Sequence, residues 1–277
     1  MSTVRFLHIP KTAGSTLNDS ILALNLKDYL WRNHFAFHGN LPDDRRNFEA
    51  LSPSKRSALV FVTGHAPRIT GIQEVDRLPT FTVLREPIER VKSHCQHFLE
   101  GKSPEILDEL GESSIDLDTL LERETPQLSN LLTKYLLGNR NFSLPDADGS
   151  ELPDLALTVL TRDLDSFGIA EEFNRSMCLF RQVFQWKDLP VYRKRNVKSK
   201  KQSVVFEDRH IARIKDMNRL DLQLYQKALP VFHTRCNDRG RALDIDIENL
   251  EQALEKRHVR FGLIDAARWA NRRVKIE

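Results

Sequence analysis

Phe6-Leu7-His8-Ile9-Pro10-Lys11-Thr12-Ala13-Gly14-Ser15-Thr16-Leu17 is the stretch whose reading decides the fold. Val4, Phe6, Leu7 and Ile9 make a short apolar strand, and Pro10 stops it. Further on, Ile21, Leu22, Leu24 and Leu26 recur at spacings that suit one face of a helix. The pattern therefore predicts a strand, a tight Gly-containing turn and a helix. A helix that begins at Gly14-Ser15-Thr16 turns free backbone N–H groups and a partial positive charge into that turn. Lys11 adds a full charge, and Thr12, Ser15 and Thr16 add three hydroxyls around Ala13. These are the parts of a phosphate or sulfate cradle. The order differs from the loop of a nucleoside triphosphate site, which ends in Gly-Lys-Ser/Thr. Here the lysine precedes the glycine, and no spare serine or threonine stands in the usual place for magnesium. The plain alternative is an ordinary strand–turn–helix with an exposed lysine.

Working outward, Ala58-Leu59-Val60-Phe61-Val62-Thr63 is a continuous apolar run of the kind found in a buried parallel strand, and it ends in the loop Gly64-His65-Ala66-Pro67. Thr80 to Leu84 reads as a third strand, followed by Arg85-Glu86-Pro87 and a helix from about Ile88 to Leu99, with Pro87 near its first position. Strands alternating with helices imply a parallel sheet covered on both faces. In such sheets ligands bind beyond the C-terminal strand ends. Lys11, His65 and Arg85 each follow a strand, so one rim carries a cation, a titratable base and a second cation.

The remaining chain reads as mainly helical. Tyr29 to Gly39 is aromatic and histidine-rich without clear period, and Leu41 to Pro53 is polar and turn-rich with room for a short helix. An acidic stretch, Glu105 to Arg123, reads as a surface insertion. Gln127 to Leu137 reads as a helix closed by Gly138, Leu155 to Leu164 as an amphipathic helix, and Ser166 to Ile169 as a short fourth strand. Met177 to Phe184 follows as a buried helix. His210 to Leu229 fits one or two helices ended by Pro230, and Ile245 to Arg273 a long helix.

A chain of 277 residues with 40% hydrophobic content can bury a substantial core. It reads as one α/β domain over residues 1–240, with a central parallel sheet and a largely helical second half, followed by a C-terminal helical extension over 241–277. The net charge of +3 suits an anionic small ligand and is too small to argue for nucleic acid. Three scattered cysteines, with no CxxC pair, argue against a disulfide framework or a zinc site and fit a reducing compartment. No run of the sequence is long and apolar enough for a membrane span, and no signal peptide is visible, which points to a cytoplasmic protein.

The motifs together resemble the sulfotransferase superfamily, closest to the branch of heparan sulfate and uronyl 2-O-sulfotransferases and their bacterial relatives. Ile9 to Thr16 is similar to that branch's loop for the 5′-phosphosulfate. Leu84 to Ser93 is similar to its 3′-phosphate motif, in which Arg85 and Ser93 hold the phosphate. Thr63-Gly64-His65 is similar to the segment with the catalytic histidine, except that the branch often has histidines on both sides of the glycine and Thr63 stands in the first place here. The resemblance covers most of residues 4–230. It implies a P-loop-like three-layer fold, 3′-phosphoadenosine 5′-phosphosulfate as co-substrate and no metal. The acceptor it implies is a hydroxyl of a carbohydrate or small metabolite.

Roles follow from the same resemblance. Lys11 stabilises the leaving phosphate, and Thr12, Ala13, Gly14, Ser15 and Thr16 hold the donor's oxygens. His65 is the general base. Arg195, Lys198 and Ser199, in the basic segment Arg193 to Gln202, fold over the nucleotide. Two other readings remain open at this point: a nucleotide or small-molecule kinase with a degenerate P-loop, and a nucleotide-binding relative without catalysis.

Overall fold

Five short strands build the centre of the molecule. The computed structural model describes residues 3–24, 33–101, 115–123, 125–138, 144–145, 149–192 and 204–255. Strands β1 (Val4–Leu7), β2 (His34–Phe37), β3 (Phe61–Gly64), β4 (Thr80–Leu84) and β5 (Ser166–Ile169) form one sheet in the order β2-β3-β1-β4-β5. All pairings are parallel: Phe6 stands beside Thr63 on one side and Phe81 on the other, and Thr82 beside Phe167. Parallel neighbours need crossovers, and crossovers lay helices on the sheet, so the strands are buried on both faces. Accordingly β1, β3, β4 and β5 are buried along their whole length. The result is a three-layer α/β fold with a central parallel sheet, as the strand pattern predicts.

The main core gathers aromatics from three strands of the sheet and from two helices packed on it. Phe6, Phe81, Phe167, Phe180 and Phe232 are fully buried, and the Phe81 ring lies 5.2 Å from Phe6 and 4.7 Å from Phe180. Burying each such ring contributes about 1.5–3 kcal/mol. Phe180 belongs to helix α9 (Phe173–Val183) and Phe232 to α11 (Arg219–Asn237). The crossover β1 to β2 begins with α1 (Gly14–Leu24); β2 to β3 uses α2 (Leu41–Glu49) and α3 (Pro53–Ser57). A short α4 (Gln73–Asp76) precedes β4, and α5 (Pro87–Leu99) follows it with Pro87 in its first turn. A second core joins Val91, Cys95 and Phe98 of α5 to α6 (Leu117–Glu122) and α10 (Asp208–Met217).

Several local readings need correction. The aromatic stretch at 34–37 is an edge strand, half-buried on most positions, so it shows no period of its own. The described part of the acidic insertion is not a surface segment: Leu120 and Leu121 of α6 are buried. Helix α7 (Leu131–Leu137) does end at Gly138, yet that glycine is extended (φ −61°, ψ 146°) and makes no left-handed cap. Pro230 does not end α11, which runs on to Asn237. The ring is on the exposed face, where the carbonyl it leaves unpaired can turn to water, while Phe232 and Cys236 beyond it are buried in the core. Packing therefore outweighs the local cost.

Helix α8 (Leu152–Thr158) continues into a π-helical turn, Val159–Asp163, ahead of β5. Helix α12 (Arg241–Glu255) occupies the start of the 241–277 segment, and its Leu243 and Leu250 are buried in the same core as the sheet. An ion pair between Arg181 of α9 and Asp246 of α12, at 2.9 Å, fixes its register.

Candidate active site

The loop between β1 and α1 is built on left-handed backbone. Lys11 (φ 69°) and Ala13 (φ 67°) both adopt it, although neither is glycine. Such conformations cost of order 1–3 kcal/mol each and persist only where the surroundings enforce them. The buried Thr12 hydroxyl donates to the Ile9 carbonyl at 2.9 Å, and the Ala13 carbonyl accepts from Thr16 and Leu17 N–H. Thr12 thus ties the loop together with its hydroxyl. Helix α1 begins at Gly14, so the N–H groups of Gly14 and Ser15 have no acceptor within the helix. Gly14 answers to a close approach: a Cβ there would lie 1.9 Å from His8 Nε2. The His8 ring therefore sits directly against the first residue of the helix.

Over this loop opens a cleft of about 820 Å³. His8, Lys11, Ala13, Gly14, Ser15 and Thr16 line one side, joined by Arg85 and Ser93. Arg85 stands at the end of β4 and donates from its guanidinium to the Lys11 carbonyl at 3.1 Å. Ser93 lies on α5, eight residues on. The structure therefore brings Lys11, Ala13, Gly14, Ser15, Thr16, Arg85 and Ser93 to one cavity. Thr12 is buried beneath it, and Arg195, Lys198 and Ser199 lie outside the described residues.

His65 is placed differently. Gly64 at the end of β3 has φ +118°, and a Cβ there would lie 2.1 Å from the Phe37 carbonyl, so only glycine lets the chain turn. His65 follows, and its Nδ1 is 3.1 Å from the His8 carbonyl. A carbonyl only accepts, so Nδ1 carries the proton in the neutral ring and Nε2 is left as the basic nitrogen. The ring does not line the cleft; it packs on His8 with centroids 4.4 Å apart, and His8 in turn stacks on Phe6. Burial lowers the pKa of both histidines below the ordinary value. For His8 the positions of His65 and Lys11 lower it further. For His65 the bond to the His8 carbonyl partly offsets burial, while His38 and Lys11 act against protonation. Thr63, where a second histidine would stand in the branch that the sequence resembles, donates its hydroxyl to Asn18 Oδ1 at 2.9 Å.

The far side of the cleft is made by the β5–α9 corner and α12. Glu171, Glu172, Asn174 and Arg175 line it, with Tyr192 and with Ile247 and Glu251 of α12. Sequence reasoning assigned none of these a role. Glu171 accepts from the Glu86 N–H at 3.1 Å and from the Tyr225 hydroxyl at 3.0 Å. Glu172 pairs with Arg175 and is 2.6 Å from His233 Nε2. Asn174 donates to Glu251 and accepts from the Tyr192 hydroxyl. His8 was also missed, although it lies inside the opening stretch. It is the first residue past β1, and a polar residue at that end of a parallel strand is the signal that would have found it.

Among the described residues no group of three or more His, Cys, Asp or Glu side chains is placed to hold a metal ion, and no helix is long and apolar enough to cross a membrane. Comparison with protein-family models and with curated proteins gives no match. The geometry of the site is left as the ground for its function.

Proposed function

We propose that the protein is a sulfotransferase that moves a sulfuryl group from 3′-phosphoadenosine 5′-phosphosulfate to a hydroxyl of a carbohydrate or small metabolite. The observation that carries this reading is the meeting of Lys11, the α1 N-terminus, Arg85 and Ser93 around one cleft large enough for a nucleotide. The residues fit two separate anionic groups. The strained loop and Lys11 suit a 5′-phosphosulfate, because successive backbone N–H groups and a helix start favour negative charge. Arg85 and Ser93 suit a 3′-phosphate, since guanidinium and hydroxyl donors match phosphate oxygens.

Sulfuryl transfer needs little covalent work from a protein. It needs the two oxygens held in line and the growing charge on the leaving phosphate offset. Lys11 does the second. One of the two neighbouring imidazoles, His65 in the reading from sequence, takes the proton from the acceptor hydroxyl. The test is a panel of hydroxyl acceptors incubated with sulfur-labelled donor, alongside thermal melts. Label transfer, and stabilisation by adenosine 3′,5′-bisphosphate greater than by ATP with magnesium, is the expected result. Stabilisation by ATP with magnesium alone, with no label transferred, overturns it in favour of a kinase.

A further inference from the structure

His8 is the one side chain at the cleft whose situation the roles above leave unexplained. Its imidazole is more than nine-tenths buried, yet it lines the cavity. Among the described residues, neither ring nitrogen takes part in a hydrogen bond; the only polar atom of His8 that His65 engages is the backbone carbonyl. Phe6 stacks on it at 5.2 Å, and His65 packs against it at 4.4 Å with its ring tilted by 35°. Nε2 lies against Gly14, at the mouth of the loop. The ring is largely buried, yet neither nitrogen is among the buried polar atoms left without a partner, so both remain open to the cleft. A hydrogen-bonding group that faces a cleft with no protein partner is open to a ligand that enters it.

We propose that His8 donates an N–H hydrogen bond from Nε2 to an oxygen of the sulfuryl group in flight, and that His65 rather than His8 receives the acceptor's proton. The inference rests on the sulfotransferase reading. The surroundings decide between donor and base. Every charged or titratable neighbour that acts on His8 disfavours its cation: Lys11 on the β1–α1 loop and His65 on the β3 loop. The N-terminus of α1 at Gly14 acts in the same sense. A neutral imidazole held at the positive end of a helix is a proton donor for hydrogen bonding and a poor proton acceptor; triosephosphate isomerase uses one in this way, as a known case. His65 has the complementary arrangement: its Nδ1–H is spent on a carbonyl, which leaves Nε2 as the basic nitrogen, on a ring that packs against His8 beside the cleft rather than in its lining.

In the step itself the acceptor oxygen bonds to sulfur while the bond from sulfur to the bridging oxygen breaks. That electron pair goes to the 5′-phosphate beside Lys11. The hydroxyl proton goes to His65 Nε2 and later to solvent. His8 keeps its proton throughout and stabilises the charge on the equatorial oxygens.

The experiment compares His8→Gln, His8→Phe and His65→Ala with the unmutated protein. Gln keeps an N–H near the place of Nε2, and Phe keeps the ring stack without any donor. His8→Phe is expected to lower kcat about 10²–10³-fold, the usual effect of losing one preorganised donor. It should change the affinity for adenosine 3′,5′-bisphosphate, which lacks the sulfuryl group, less than threefold. His8→Gln should recover at least tenfold of that loss. The ascending limb of kcat/KM against pH should survive in both His8 variants and vanish in His65→Ala. A limb that vanishes in His8→Phe makes His8 the base and overturns the inference, as does an unchanged kcat.

Nitrogen-15 spectra of the unmutated protein give a readout apart from turnover. His8 should stay neutral from pH 5.5 to 8 with adenosine 3′,5′-bisphosphate bound, and an imidazolium there overturns the inference. Unmutated protein that neither transfers label nor binds the bisphosphate overturns the sulfotransferase reading, and this inference with it. Transfer by an unaffected His8→Phe overturns this inference alone.

Discussion

Two strand-to-helix corners face each other across the cleft, and they are built on opposite plans. The β1–α1 corner carries Lys11 and Ala13 in left-handed backbone, an imidazole whose nitrogens face the cleft without a hydrogen bond, and helix N–H groups without intrahelical acceptors. The β5–α9 corner carries Glu171 and Glu172, and each carboxylate already has two partners. One side holds unmet hydrogen-bonding capacity and strain, as expected where a ligand is to complete the site. The other is a satisfied frame that ties β4, β5, α9 and α11 together. Charge follows the same division, cationic on the first side and largely anionic on the second. The anionic donor proposed above would be drawn to the β1 and β4 ends of the cleft.

Mutations on the first side should therefore hit turnover and ligand binding, and mutations on the second should hit stability. The largest expected effect is that of Lys11→Ala. Loss of the charge beside the leaving phosphate should lower kcat about 10²–10³-fold. Binding of adenosine 3′,5′-bisphosphate should weaken far less. Steady-state rates with labelled donor, paired with calorimetry on the product nucleotide, measure both. An unchanged kcat would remove Lys11 from the chemistry.

Next in size is Arg85→Ala. A hydrogen bond to a charged group contributes about 1.5–3 kcal/mol, or roughly 10–150-fold in affinity. The loss should fall on adenosine 3′,5′-bisphosphate and spare adenosine 5′-monophosphate, which has no 3′-phosphate. Because Arg85 also donates to the Lys11 carbonyl, part of the effect can pass through the loop. Equal losses for the two nucleotides would show that it all does.

Acid should expose the same asymmetry. His8 and His94 are buried and held well below the ordinary histidine pKa. For His8 the causes are burial, then His65 and Lys11; for His94 they are burial, then Arg90, Lys11 and His97. Both belong to the β1 and β4 side. The unfolded chain binds protons that the folded one refuses, so stability is full above pH ~6.5 and falls as the pH drops below it. Each histidine adds about 1.4 kcal/mol of lost stability per pH unit within that window. Chemical denaturation at pH 7.5, 6.5 and 5.5 should show this slope, and His8→Phe should reduce it by one proton's worth. A slope that His8→Phe leaves intact would show that His8 does not titrate with unfolding.

Much of this contrast was legible in the sequence, and unequally so. Strands β1, β3 and β4 are dense apolar runs, and Lys11, His65 and Arg85 follow them directly, so these strand ends could be read from the runs, but only Lys11 and Arg85 line the cleft. Ser93 came only with the resemblance. Edge strand β2 was not legible, because His34 to Phe37 has neither the density of a central strand nor the alternation of a half-exposed one. The β5–α9 corner was hidden for another reason. The partners of Glu171 and Glu172 lie up to 85 residues away in sequence, at Glu86, Tyr225 and His233, and no local pattern announces such pairings. Nor could α12 be seen as a wall of the cleft, since Ile247 and Glu251 reach it only through the packing of Leu243 and Leu250.

The smallest expected effect tests the frame. Tyr225 of α11 donates its hydroxyl to Glu171 Oε2 at 3.0 Å, and burial together with that carboxylate raises the pKa of the phenol, so the proton stays on it at any physiological pH. Tyr225→Phe deletes one hydrogen bond and keeps the ring. A bond of this kind to a charged acceptor contributes about 1.5–3 kcal/mol when buried, but Glu171 is exposed and can recruit water, so the expected loss is nearer ~1 kcal/mol. Glu171 would retain the Glu86 N–H, which keeps the corner attached to the start of α5. Arg85 precedes Glu86 directly, so any strain released there would reach the anion side first as weaker binding of adenosine 3′,5′-bisphosphate. The frame reading predicts that it does not: a melting shift of a few degrees, with kcat and nucleotide affinity within twofold. A tenfold loss of affinity at unchanged stability would mean that the carboxylate corner belongs to the ligand site, and the division between the two corners would then fail.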